Sequence, residues 1–208
     1  MNLHLVDKQY SESEYKQQLN ELIGLHPGNP PISLVCETNY YTIIPENLFQ
    51  SDKATHFLKL HHPSLPENYQ VLHTYYKNHQ GVLVYAFDKH IFETLQTYRS
   101  EISIQHHLHP YLDNCDSVAN DKITVYVRNN YCDCMVTQSN KLSLLNSYHY
   151  TTDEDIIYHV LNIFHHLNID HNTAELDMCL YGNQKDNPGK LLSQYVPKIN
   201  HIQIPTSI

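Results

Sequence analysis

The stretch KITVYVRNNYCDCMVTQSNKLSLLNSYHYTTDEDIIYHVLNIFHHL, residues 122–167, decides the fold. Apolar and β-branched residues dominate 122–127, 131–137 and 142–150, and the polar triplets Arg128-Asn129-Asn130 and Ser139-Asn140-Lys141 separate them. That is the pattern of three consecutive strands joined by short turns. Thr152 then caps a helix that carries Asp153, Glu154 and Asp155 in its first turn, where carboxylates suit the positive end of the helix dipole. Ile156, Ile157, Val160, Leu161, Phe164 and Leu167 recur at helical spacing and predict its buried stripe. A strand at 176–180, a loop at 181–189, a helix at 190–195 and a last strand at 201–204 complete the order β-β-β-α-β-α-β.

Upstream the pattern is less regular. A short strand is expected at 3–6. Ser11 and Glu14 then form a capping box, and Tyr15, Leu19, Leu22 and Ile23 give a helix its stripe. The run His26-Pro27-Gly28-Asn29-Pro30-Pro31 ends that helix. Strands are expected at 32–36 and 40–44, joined by a tight turn near Thr38-Asn39, with helical segments from Pro45 and from Ser51 or Asp52. Residues 69–76 and 82–87 read as a hairpin, Asp88 caps a helix through Ile91, Phe92, Leu95 and Tyr98, and a strand at 102–105 precedes a helical turn at 108–112. The polar run 113–121 is the best boundary, dividing the chain into 1–116 and 117–208.

Composition bounds the partners. A chain of 208 residues with 41% hydrophobic content can build one sizeable core or two small lobes. Its formal charge of −9, with no basic cluster, argues against nucleic acid, because binding phosphate backbones relies on Lys and Arg displacing counterions. No window approaches the roughly 18 apolar residues of a membrane span. The opening MNLHLVD lacks the basic and apolar regions of a signal peptide. Five cysteines in no disulfide-framework spacing read as reduced thiols in the cytoplasm.

Three antiparallel strands feeding a helix and further strands is the ribonuclease-H-like arrangement. Thr42-Ile43-Ile44-Pro45-Glu46-Asn47-Leu48-Phe49 resembles a T-h-V-P-x-x-L-F stretch. Residues 142–150 resemble a strand ending in N-x-F-x-Y, and 152–158 the T-x-x-D-h-h-Y segment after it. With 102–112, which resembles an F-P-x-x-x-x-x-H-x-x-x-L segment, these motifs resemble the bacterial domain-of-unknown-function 3822 family over residues 3–204. The resemblance implies an α/β chain with an actin-like ATPase fold: two ribonuclease-H-like halves with mixed sheets. The matching motifs are packing signatures, which specify a fold better than an activity.

The resemblance also implies where a nucleotide would sit, and the sequence departs there. Each half of a working actin-like ATPase opens with a hairpin that carries an acidic residue and glycines around phosphate and metal. Here residues 3–6 stand where a third strand is expected, so the first half lacks its opening hairpin. The second hairpin turns through Arg128, Asn129 and Asn130, with neither glycine nor acid, which disfavours close backbone approach to a phosphate. The adenosine-side glycines reduce to Gly182. These four positions are a degenerate nucleotide site, and the expectation is no cofactor, no catalytic residue and a scaffold or protein-interaction module. The alternative is an ATP-binding member with a degenerate site.

Other constellations carry less. Cys132 and Cys134 share one strand face with Val136 and suit buried packing, since a structural metal needs two further ligands; Asp133 points the other way, toward solvent or a helix terminus. The histidine clusters His61-His62, His106-His107-x-His109 and His165-His166 lack ligand spacing and read as surface residues, with His106 or His107 the most constrained. A nuclease of ribonuclease-H type needs converging carboxylates, and 122–127 carries none. Tyr40, Tyr41, Tyr75, Tyr76, Tyr148 and Tyr150 suit either an interface or sheet packing. The uncharged strand 3–6 leaves an unprotected edge, a place for a partner or a second copy.

Overall fold

The computed structural model describes residues 2–6, 13, 17, 20–21, 32–76, 81–98, 102–113, 121–128, 130–181 and 188–204. In chain order its strands and helices are β1 (Asn2–Val6), β2 (Ile32–Glu37), β3 (Tyr41–Pro45), α1 (Ala54–His61), β4 (Tyr69–Tyr76), β5 (Gly81–Asp88), α2 (Lys89–Tyr98), β6 (Ile102–His106), α3 (His109–Asp113), β7 (Lys122–Val127), β8 (Tyr131–Gln138), β9 (Lys141–His149), α4 (Asp153–His166), β10 (Glu175–Tyr181), α5 (Pro188–Leu192) and β11 (Ile199–Ile204). Two short 3-10 turns, Glu46–Leu48 and Ser51–Lys53, precede α1. The chain divides into two compact units, Met1–Asn114 with Ser207–Ile208, and Cys115–Thr206.

The second unit follows its pattern closely. Its five strands lie in the order β11-β10-β7-β8-β9. β7, β8 and β9 form an antiparallel meander, and β10 and β11 add in parallel beside β7. Ser139 and Asn140 have φ of 49° and 62°, which gives the β8–β9 turn the twist that two-residue hairpins favour. On the face that carries Ile123, Val125 and Val127, the partners Val136, Cys134 and Cys132 complete an apolar layer. Ile156, Val160, Ile163 and Phe164 of α4 and Leu192 of α5 join the same core cluster. Ile163 belongs to that stripe although the periodic reading omits it, and Ile157, Leu161 and Leu167 pack partly buried beside it.

The first unit holds two three-stranded sheets. β1-β2-β6 is all parallel, and β3-β5-β4 is antiparallel. Thr38-Asn39 therefore does not turn a hairpin; it carries the chain from one sheet into the other. β4 and β5 pair from Tyr69↔Asp88 to Tyr76↔Gly81, as their alternation predicts, while their connection at 77–80 lies outside the described residues. Gly81 leaves room in this register for the Tyr76 ring, which a Cβ there would displace. Leu58 of α1 packs with Ile44, Val82, Val84 and Ala86, while Ile91 and Leu95 of α2 pack with Leu34, Cys36 and Phe87.

β1 corrects one expectation. In the second unit, two strands, β8 and β7, separate the third strand, β9, from the first parallel neighbour, β10. β1 instead pairs directly and in parallel with β2, from Asn2↔Ser33 to Val6↔Glu37. It holds the position that β7 holds beside β10. Of the helix expected from Ser11, residues Ser13, Gln17, Asn20 and Glu21 are helical, with the Gln17 amide donating to Glu21 at 3.2 Å. Its apolar stripe lies outside the described residues.

Candidate functional site

The end of the β7–β8 hairpin is where the family resemblance puts the nucleotide-site positions of the second unit. Strand alternation decides which side chains meet there. Val127 and Cys132 oppose each other on the core face, so Arg128, Tyr126 and Asp133 fall on the other face. The Arg128 backbone N–H donates to the Tyr131 carbonyl at 2.8 Å, closing the hairpin. Its guanidinium then grips Asp133 with both branches, Nε to Oδ2 at 2.6 Å and Nη2 to Oδ1 at 2.9 Å. Ser147 lies directly across from Asp133 on β9, and its hydroxyl donates to Oδ1. Arg128 is 7% exposed and Asp133 0%.

The surroundings complete a closed cluster. The Tyr150 hydroxyl donates to the Arg128 carbonyl at 2.6 Å, and the Tyr150 backbone N–H donates to the Asn130 carbonyl at 3.0 Å. The Arg128 guanidinium carbon sits 5.7 Å from the Tyr131 ring centroid, within cation–π range. Burial pushes the Tyr150 phenol up from its ordinary value, so it remains a neutral donor. Asp133 therefore does not reach solvent or a helix terminus, as strand alternation alone suggests; it accepts three side-chain hydrogen bonds inside the fold. A carboxylate so engaged is a structural acceptor, poorly placed to take a proton from a substrate or to ligate a metal. Of the four sequence-marked positions, Arg128 and Asn130 belong to this cluster, and Asn129 and Gly182 lie outside the described residues.

The signal for Asp133 was present but needed the register. Arg128 and Asp133 are opposite charges five residues apart, which become neighbours only when three residues make the turn and both side chains take the same face. A second ion pair on the sheet arises the same way. Lys122 Nζ lies 2.6 Å from Asp177 Oδ2, and the Asn200 amide donates to Asp177 Oδ1 at 2.9 Å, across three parallel strands.

The acidic start of α4 does a cap's work. The Asp155 carboxylate accepts the Thr151 and Thr152 backbone N–H groups at 2.8 and 2.9 Å. Those two bonds hold its carboxyl below the usual range. Cys132 and Cys134 are both fully buried in the core, as their alternation with Val136 predicts. The hydrogen bond that the Cys134 thiol makes with Cys132, together with burial, pushes that thiol well up. Among the described residues, no three His, Cys, Asp or Glu side chains converge into a metal-binding group.

His61, His165 and His166 are exposed, as the surface reading expects, whereas His106 and His107 depart from it. His106 is 0% and His107 3% exposed. His61 Nδ1 lies 3.2 Å from the Thr42 hydroxyl, and His62 Nε2 lies 2.9 Å from the Tyr41 carbonyl, so the end of α1 is pinned to β3. Among the six tyrosines marked as interface candidates, Tyr41 and Tyr76 are buried, Tyr40, Tyr148 and Tyr150 are half-buried, and Tyr75 is exposed. Sheet packing accounts for five of them.

Comparison with known proteins agrees with this architecture. A crystal structure from Bacteroides thetaiotaomicron VPI-5482, described as a protein with actin-like ATPase fold and unknown function, superposes with a TM-score of 0.79 at 19% identity, covering 95% of this chain and 78% of that one. A structure of the PilM-PilN type IV pilus biogenesis complex superposes with a TM-score of 0.58 at 8% identity, covering 96% of this chain and 79% of that one. No curated protein matches the chain. At these identities the likeness establishes the fold, and the fold is that of the actin-like ATPases. No described helix is long and apolar enough to cross a membrane. The family whose description is "Protein of unknown function (DUF3822)" matches residues 3–199, and the chain belongs to it.

Proposed function

We propose that this chain is a non-catalytic actin-like protein that acts by binding another protein and has no working nucleotide site. The observation that carries the reading is the Arg128–Asp133–Ser147 cluster. A phosphate-wrapping hairpin needs backbone N–H groups that a phosphate can approach and an acid that faces the metal. Here the turn offers no glycine, and the nearest acid, Asp133, is buried and bonded to Arg128 and Ser147. Isothermal titration of the full chain with ATP and magnesium tests this. No binding up to millimolar nucleotide is expected; micromolar binding overturns it and supports the alternative, an ATP-binding member with a degenerate site at Arg128, Asn129, Asn130 and Gly182.

The likeness to PilM, a protein solved in complex with PilN, supports the interaction reading. In this reading residues 1–116 and 117–208 are the two ribonuclease-H-like halves. What supports it is the shared parallel core, β1-β2-β6 in one unit and β7-β10-β11 in the other. The contact is with a second protein chain at the edge of the β1-β2-β6 sheet, where β1 is a terminal strand and carries no charged residue. Buried cysteines outside any disulfide, Cys36, Cys132, Cys134 and Cys179, suit the cytoplasm. Hydrogen exchange of the full chain, free and bound to the captured chain, tests the contact at the edge: the β1 backbone amides should gain protection in the complex, and unchanged exchange at β1 would rule out the edge.

A further inference from the structure

The buried histidine of the first unit has chemistry that the proposed function does not use. β6 ends at His106, and the next backbone N–H, that of His107, donates to the Cys36 carbonyl at 3.0 Å, extending the ladder with β2. His106 Nε2 lies 3.1 Å from the Thr38 carbonyl oxygen, which can only accept, so Nε2 carries the proton. The Leu108 backbone N–H donates to His106 Nδ1 at 3.2 Å, so Nδ1 carries the lone pair. Two partners thus fix one neutral tautomer of a fully buried ring. The Tyr41 and Tyr85 rings flank it, at 5.1 and 5.2 Å between centroids. Thr38 is itself tied in: its hydroxyl accepts the Tyr40 N–H at 3.1 Å, and the Tyr40 carbonyl accepts the Ala86 N–H at 2.9 Å.

We propose that His106 is an acid-operated clasp, which holds the β2–β3 corner against the β6–α3 corner and releases it when the imidazole is protonated. A proton added at Nδ1 would point at the Leu108 N–H, setting donor against donor. The bond must break, and the charge would be fully buried, with the His107 ring 4.3 Å away between centroids. Protonation is therefore coupled to opening of the corner, where the ring behaves as an ordinary imidazole that takes its proton near pH 6.5. One proton taken up on opening makes the opening equilibrium grow about tenfold per pH unit below that value.

The other titratable groups packed around this corner are Cys36 and Glu37 on β2, Tyr41 on β3, Tyr85 on β5, His107 beside it on the chain, and His109 and Asp113, 3.6 Å apart, on α3. Burial raises Tyr85 to about 12, so it stays neutral in mild acid.

Native-state hydrogen exchange of the full chain between pH 7.5 and 5, corrected for intrinsic rates, tests the clasp. Amides of β2, β6 and Leu108 should open about tenfold more per pH unit below about 6.5, following one proton. His106→Asn should flatten that slope, because the Asn carbonyl can still accept the N–H two residues on without titrating. His107→Gln and His109→Gln should keep it. Histidine ring NMR of the unmodified chain gives a second readout that does not need the variant to fold: the Nε2–H tautomer should persist in the closed state. A ring that becomes charged while those amides stay protected overturns the proposal, as does an unchanged slope in His106→Asn.

Discussion

Removing the Asp133 carboxylate is the sharpest test of the hairpin cluster. Asp133→Ala leaves the Arg128 guanidinium 7% exposed, with both of its 2.6 and 2.9 Å bonds to Asp133 gone, and deprives Ser147 of its acceptor. Breaking a buried pair by deleting one partner costs about 3–5 kcal/mol, most of it from the charge left behind. With a urea dependence of about 2 kcal/mol per molar, the unfolding midpoint should fall by roughly 1.5–2.5 M. The double variant Arg128→Met with Asp133→Leu removes both charges and keeps most of the volume. It should recover the larger part of that loss, because replacing a buried pair by apolar groups is often neutral. Urea unfolding followed by circular dichroism measures both. If Asp133→Ala shifts the midpoint by less than about 0.5 M, the cluster is not buried and bonded as described. If the double variant is as unstable as the single, the pair contributes attraction rather than avoided desolvation.

Four other outcomes follow from residues already placed. Phe164→Ala should cost about 3–5 kcal/mol by calorimetry, since its ring lies in the core cluster under the five-stranded sheet; an unchanged melting temperature refutes that placement. Gly81→Ala should cost about 1–3 kcal/mol, because the new methyl must displace the Tyr76 ring, and Gly81→Ala with Tyr76→Leu should recover part of it. Burial raises the Cys179 thiol to about 12, and the hydrogen bond with Cys132 together with burial holds Cys134 well up, so a thiol reagent at pH 8 should label both only after denaturation. Asp155 is held below its ordinary value of 3.8, so its contribution is present above that pH and is lost as the pH falls through the folded value; the native chain should lose more stability than Asp155→Asn between pH 5 and 3.

The fold was legible where local pattern and tertiary pairing agree. Residues 122–167 form neighbouring strands followed by the helix that covers them, so alternation and helical spacing alone place Cys132, Cys134, Val136 and Phe164 in one core. Agreement fails at Thr38-Asn39. Two strands joined by a tight turn suggest direct pairing, yet β2 lies between β1 and β6 while β3 pairs with β5. The partners that decide this come from 81–88 and 102–106, and no local pattern announces them. β1 is a sharper case: a five-residue strand carries no mark of parallel or antiparallel pairing, so its position beside β2 had to come from the structure.

Site residues were hidden for a different reason. A search for catalytic chemistry looks for polar groups that are exposed and convergent, whereas the polar groups that matter here are buried and saturated by one another. Asp133 accepts from Arg128 and Ser147, Asp177 pairs with Lys122 and Asn200, and His106 bridges Thr38 and Leu108. Each would cost several kcal/mol if left without its partner, so each restricts which register and which corner geometry the chain can adopt. Strand pairing by apolar alternation alone tolerates a slip of two residues, since that returns every side chain to its face. A slip of β8 by two residues would carry Asp133 past Arg128 and leave both charges buried and unmatched. The pairing that engages Asp133 with Arg128 and Ser147 therefore also fixes the register of the hairpin.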